Sequence, residues 1–270
     1  MGALWMALSA SAAVNEWMER MASLYITRQM NREEQGIFLS SLGQVPVESQ
    51  PWVERMARTY ITSQMNGEYR CAIFRSFSKT TVERQPWMER MASLYITPEM
   101  EWYRRWSTLS SLGQVPVESQ PWVERMASLY ITPQMNGEQR DGILDSLRTV
   151  PVGNQPWMER MAQFVVTPID SASEVWGVIF NLGALTLYLS TDALREEARL
   201  GIIARVNRAR EEGLPLSDFF RQLFTRVRDE VRQNARINPA AAGPVGRAME
   251  VHFASSLKVP LEEKGPSLPL

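Results

Sequence analysis

The hydrophobic and polar positions between residues 16 and 190 recur with a period of 35. Trp17, Trp52, Trp87, Trp122 and Trp157 fall at that interval, inside the strings EWMERMA, PWVERMA, PWMERMA, PWVERMA and PWMERMA. The segment GQVPVESQPWVERMA occurs twice unchanged, from Gly43 and from Gly113, which marks duplication. In the second copy Trp52, Val53, Met56, Tyr60 and Ile61 are spaced to share one face of a helix. Pro51, Pro86, Pro121 and Pro156 open that helix, where the missing N–H costs nothing. Thr27, Thr62, Thr97, Thr132 and Thr167 mark its end.

A second helix follows in each copy. Asn31, Asn66, Asn136 and Ser171 share one position and are good N-caps. Asn31 with Glu34, Asn136 with Gln139 and Ser171 with Glu174 have capping-box spacing. The apolar positions downstream are Phe38, Leu39 and Leu42, then Ile73, Phe74 and Phe77, then Ile143, Leu144 and Leu147. Gly43, Gly113 and Gly183 are expected as C-caps, and a V-P-V loop (45–47, 115–117, 150–152) returns the chain.

One hairpin of two short helices cannot bury both stripes, whereas stacked hairpins shield each other. The expected fold is therefore all-α: a right-handed α-solenoid of five tandem hairpins, 16–50, 51–85, 86–120, 121–155 and 156–190. Residues 1–15 read as a half-repeat cap, with SASAAVNEW in the register of a second-helix tail and return loop. A secretory leader is the alternative, disfavoured by the absence of Lys and Arg from the first 19 residues. The run 175–189 carries no charge and should be covered on more than one side. A helical C-terminal cap is expected over 191–257. Its helices would be 192–212, 218–237 after Ser217, with Phe220, Leu223, Phe224, Val227 and Val231 as the stripe, and 245–257. The tail 258–270 should be disordered.

The period equals that of pentatricopeptide arrays and is one more than that of tetratricopeptide arrays, but the residues follow neither pattern. Trp is followed by Met/Val-Glu-Arg-Met-Ala rather than by the Leu-Gly and Tyr of the tetratricopeptide helix. HEAT-like and TPR-like hairpins are shared architecture by analogy only.

Composition narrows the function. Formal net charge is −1, from 29 Lys+Arg against 30 Asp+Glu, so the basic excess that meets phosphates is missing and nucleic acid is disfavoured as a partner. A single cysteine, Cys71, rules out an internal disulfide and points to a reducing, cytoplasmic location. No run is long and apolar enough for a membrane span. Cys71 shares its repeat position with Gly36 and Asp141 and is expected to be exposed. The one histidine, His252, lies on an amphipathic stretch and reads as structural. One Cys and one His cannot make the usual zinc site, and neither common glycine-rich phosphate loop is present. No enzyme chemistry and no cofactor are expected.

Two recurring features have structural readings. Met21, Met56, Met91, Met126 and Met161 share an apolar slot beside the Trp and read as core. The pairs Glu19/Arg20, Glu54/Arg55, Glu89/Arg90, Glu124/Arg125 and Glu159/Arg160 cannot pair with their own neighbour on a helix. Stacking would bring the Glu of one repeat near the Arg of the next, giving a ladder.

Repeat three breaks its own pattern. It reads Trp102, Tyr103, Arg104, Arg105, Trp106 where repeat four reads Gly137, Glu138, Gln139, Arg140, Asp141. Exposed Trp, Tyr and Arg together favour an interface. The expected function is a non-enzymatic adaptor that binds a protein or peptide on the variable second helices, through these five residues. The alternatives are an RNA-binding array that uses Arg104, Arg105, Trp102 and Trp106, and a homodimer contact at the same helix.

Overall fold

The computed structural model describes residues 2–213 and 216, except 168, 170, 188 and 190; side chains are described from residue 14, except at 193, 194, 197 and 205. Eleven α-helices and no strand occur among the described residues: α1 (Gly2–Tyr25), α2 (Arg32–Gly43), α3 (Gln50–Tyr60), α4 (Gly67–Ser78), α5 (Gln85–Tyr95), α6 (Trp102–Gln114), α7 (Gln120–Tyr130), α8 (Gly137–Thr149), α9 (Gln155–Val166), α10 (Ala172–Thr186) and α11 (Asp192–Glu211). Each repeat supplies two of the first ten. The expected helices beyond 211, together with His252 and the tail, lie outside the described residues.

The first helices bury the stripe their spacing predicts. In α3, Trp52, Val53, Met56 and Tyr60 are all buried, with Ala57 between them. The proline sits one residue inside the helix, which Gln50 opens. The helices end on Tyr25, Tyr60, Tyr95 and Tyr130, two residues ahead of the recurring Thr. That Thr closes the following turn: the carbonyls of Thr27, Thr62, Thr97 and Thr132 accept from the N–H of Met30, Met65, Met100 and Met135. Those four methionines are buried and pin the turn to the core.

The second helices start as their caps predict. Asn31 and Asn136 form full capping boxes with Glu34 and Gln139. Asn66 caps through Tyr69 N–H at 3.0 Å. Ser171 makes only half a box, at 3.4 Å to Glu174 N–H, because the Glu174 carboxylate accepts from Leu216 N–H instead.

Three expectations need correction. Gly43, Gly113 and Gly183 are not left-handed C-caps, since only Gly213 has positive φ among the described glycines. Gly43 and Gly113 lie in the last turns of α2 and α6, and Gly183 lies inside α10. Extended backbone at Pro46 and Pro116 then separates α2 and α6 from the 3-10 turns at Val47–Ser49 and Val117–Ser119. Residues 2–25 form one unbroken helix, so the return loop read into 1–15 is absent. No Pro or Gly lies between Ala3 and Tyr25, Glu16 replaces the usual proline, and the Ala-rich run favours helix. Cys71 is buried rather than exposed: its position faces the preceding second helix, where its thiol donates to Glu34 O at 3.2 Å. Gly36, with no second helix before it in the described chain, is exposed.

Leu39 is exposed for the same reason, whereas its equivalent Phe74 packs on Phe38 at 4.5 Å between ring centres. In α10 the apolar run is buried along Val175, Val178, Ile179, Leu182 and Leu185, but Phe180 and Leu187 remain exposed.

The chain divides into two compact units. One holds Met1–Glu124 with Asn136–Arg148, and the other Arg125–Met135 with the described residues from Thr149 onward. Inside the first, α2 packs on α4 and α4 on α6. The first helices are linked by salt bridges: Arg20 to Glu54 at 2.8 Å, Arg55 to Glu89 at 2.7 and 2.8 Å, and Arg90 to Glu124 at 2.9 and 2.6 Å. The expected ladder is therefore present with its direction reversed, the Arg of one repeat meeting the Glu of the next. Each Arg holds its carboxyl below the usual range. The indole N–H of Trp52 and Trp87 also favour the Glu89 and Glu124 anions without reaching regular hydrogen-bond geometry.

The second unit contains one further rung, Arg125 to Glu159 at 3.0 and 2.5 Å. There α9 packs against α10 and α11. The Trp157 indole donates to Arg195 O at 2.7 Å, and the Arg195 guanidinium donates to Asn154 Oδ1 at 2.6 Å.

Candidate functional site

The break in repeat three shows first in its backbone. Glu101 replaces the capping asparagine and makes no side-chain cap, leaving the first turn of α6 without the bond that α2, α4 and α8 have. Such a cap is worth about 1 kcal/mol. No acidic residue stands in that turn to complement the helix dipole, and Arg104 opposes it. Local helix chemistry does not explain these substitutions.

Their side chains gather on Tyr69 of α4. Trp102 lies 3.8 Å from the Tyr69 ring and Trp106 lies 6.1 Å from it, edge on, while Tyr103 meets Trp102 edge on at 5.8 Å. Trp102 remains 39% exposed and Trp106 36% exposed, so four aromatic rings form one accessible surface rather than a core. In repeats two and four the position of Trp102 is Gly67 and Gly137. A β-carbon on Gly137 would come within 2.9 Å of Met100 Cγ, so that glycine is needed for close approach to the preceding repeat. Trp102 instead finds Tyr69 in front of it.

The two arginines separate. Arg104 stacks over Tyr103 at 4.8 Å and reaches Glu138 at 3.3 Å and Asp141 at 3.6 Å on α8, so it stays with the cluster but already holds carboxylates. Arg105 turns away: its guanidinium donates to Met100 O at 2.8 Å and to Pro98 O. Arg70, at the same repeat position, clamps Met65 O, Ser63 O and Tyr25 O in the same manner, and Gln35 reaches Met30 O. This repeat position secures a turn.

Asp141 is the one buried carboxylate here. Burial pushes its carboxyl above the usual value, against hydrogen bonds from Ser107 and Thr108; the Thr108 hydroxyl donates to it at 3.0 Å. Burial raises the Cys71 thiol to about 11, which leaves it a thiol at neutral pH. Among the described residues no group of three or more His, Cys, Asp and Glu is placed to hold a metal, and no helix is long and apolar enough to cross a membrane.

Two open clefts flank the second helices. One, of about 430 Å3, lies between α2 and α4, and one of about 240 Å3 lies between α4 and α6 with Trp106 in its wall. Arg75 and Lys79 line both. Tyr69, Arg75 and Lys79 were not among the residues expected from sequence. A column-by-column comparison of repeats would have found the two cations: Ser40, Arg75 and Ser110 share one position, and Gln44, Lys79 and Gln114 another.

Comparison with protein-family models, with curated proteins and with solved structures returns no match.

Proposed function

We propose that the chain is a non-enzymatic interaction protein, an α-solenoid of stacked hairpins that binds a protein or peptide on its second helices. The stacking proposal draws on the Arg–Glu rungs and on the second helices that pack one on the next within the first unit. The observation that carries the binding reading is the exposed ring cluster of Trp102, Trp106, Tyr103 and Tyr69 beside an open cleft. Aromatic side chains desolvated at the centre of an interface can each contribute about 2 kcal/mol or more, and here Trp102 and Trp106 remain over a third exposed. The RNA-array reading draws less support, because Arg104 already holds Glu138 and Asp141 and Arg105 holds backbone carbonyls.

The test pairs Trp102→Ala with Trp106→Ala in the full chain. Random peptides selected on the wild-type protein should lose at least about tenfold in affinity for the double variant, about 1.4 kcal/mol. The circular dichroism signal and melting temperature should be nearly unchanged. Native affinity in a folded double variant would exclude the cluster as the binding surface, and unfolding would assign these rings to the core.

A further inference from the structure

Arg75 and Lys79 stand one turn apart on α4 and its C-cap, both exposed. Their setting differs from that of most cations in the same compact unit. Arg20, Arg55, Arg58, Arg90, Arg104 and Arg148 pair with carboxylates. Arg70, Arg84 and Arg105 donate to backbone carbonyls. Arg75 and Lys79 have no side-chain hydrogen bond and no carboxylate within ion-pair distance among the described residues. Glu33 is the only carboxylate lining either cleft.

The neighbouring repeats leave room on both sides. Where repeat two has Arg75 and Lys79, repeats one and three have the short neutral pairs Ser40 with Gln44 and Ser110 with Gln114. Those residues line the two clefts, so the cations form a ridge between two shallow troughs. In the trough between α4 and α6, Trp106 supplies an apolar wall next to the charge.

Resting on the interaction reading above, we propose that this face binds an acidic segment of a partner protein. The segment runs along α4 on the ridge between the two troughs, with carboxylates on Arg75 and Lys79 and an apolar side chain reaching into the α4–α6 trough against Trp106. The spacing suits an extended strand. Residues four apart on a helix are about 6 Å apart along its axis, and alternate residues of an extended chain are about 6.6 Å apart on one side. The recognised feature is therefore a pair of Asp or Glu residues at i and i+2. With two free cations rather than a continuous basic track, the face suits a peptide better than a phosphate backbone.

The experiment selects random dodecapeptides on the full chain and measures fluorescein-labelled copies of the selected peptides by anisotropy. Selected sequences should carry Asp or Glu at alternate positions. Their affinity should fall at least about tenfold in Arg75→Glu with Lys79→Glu, and several-fold between about 50 and about 300 mM salt, as screening weakens the pair. Arg75→Lys with Lys79→Arg should retain binding, and both double variants should melt like the wild type. Peptides without an acidic bias that ignore the charge reversal but are lost in Trp102→Ala with Trp106→Ala would overturn the acidic partner and leave the interaction reading standing. Peptides indifferent to every variant, or no selected peptide at all, would overturn both. A fluorescein-labelled single-stranded RNA dodecamer that binds more tightly than any selected peptide would overturn the proposal in favour of nucleic acid.

Discussion

In the first compact unit, the row of first helices and the row of second helices come from the same duplicated segment and have diverged unequally. Helices α1, α3 and α5 keep Trp, Glu, Arg and Met at the same places, and their Arg side chains grip the next repeat at Glu54, Glu89 and Glu124. Helices α2, α4 and α6 share a buried stripe and little else: the outward position that is Ser40 in one is Arg75 in the next and Ser110 in the third. The difference follows from where each position finds its partner. A rung arginine is held by the next repeat's copy of the glutamate beside it, so a change in one repeat leaves a charge unpaired in another. A second-helix residue on the outer face has no such partner and can change alone. The variable row is therefore where a surface can become specific.

The strongest way to break that comparison is to empty the invariant row. Trp52 is buried and packs edge on against Phe77 at 5.7 Å. Trp52→Ala should cost about 3–5 kcal/mol in urea or thermal melts. The double change at Trp102 and Trp106, with over a third of each ring exposed, should cost far less. Equal losses would mean that the two rows do not divide stability from recognition.

The invariant row was almost entirely legible in the sequence, because a fixed 35-residue period shows which positions must face a neighbouring copy. The stripe Trp52, Val53, Met56 and Tyr60, the asparagine caps and the rungs all follow from it, although spacing alone could not give the ladder its direction. The period misled where a residue's surroundings depend on which repeat precedes it. Cys71 and Leu39 exchanged their expected environments for that reason, since burial on the second-helix row is set by the adjacent helix and not by the position itself. The N-terminal break was read from register alone, although no proline or glycine between Ala3 and Tyr25 could end the helix. In the candidate site, Trp102 and Trp106 stood out as departures from the template. The clamp that Arg105 makes on Met100 O and Pro98 O was not legible from its own repeat, because the pattern shows only once Arg70 and Gln35 are seen to do the same.

A smaller effect sharpens the comparison at the start of α6. If repeat three lost its cap because of the surface it carries rather than because of fold requirements, restoring the cap should stabilise the chain. Glu101→Asn should add up to about 1 kcal/mol in a urea melt. Asn136→Ala, which removes the intact capping box of α8, should subtract about the same. A Glu101→Asn variant less stable than wild type would show that Glu101 has a structural partner of its own.

The smallest effect concerns the rungs themselves. Arg55 and Glu89 make a two-pronged bridge, but their side chains are 56% and 36% exposed, so solvent screens much of the attraction. A double-mutant cycle with Arg55→Ala and Glu89→Ala should give a coupling of about 0.5 kcal/mol, and no more than about 1. Its pH dependence has a definite sign. The arginines lower the Glu54, Glu89 and Glu124 carboxyls in the folded chain, so the rungs' contribution is complete above the unfolded carboxyl pKa. It is lost as pH falls through the lower folded values. Asp141 works the other way: burial raises its carboxyl, so its contribution is largest in acid and is lost as pH rises through the folded value. The coupling measured at neutral pH should therefore vanish below the folded Glu89 value, while Asp141→Asn should be most stabilising near neutral pH and least in acid. An Arg55–Glu89 coupling unchanged between neutral pH and about pH 2 would mean that the rung is held by packing of the arginine stem on its neighbours and not by charge.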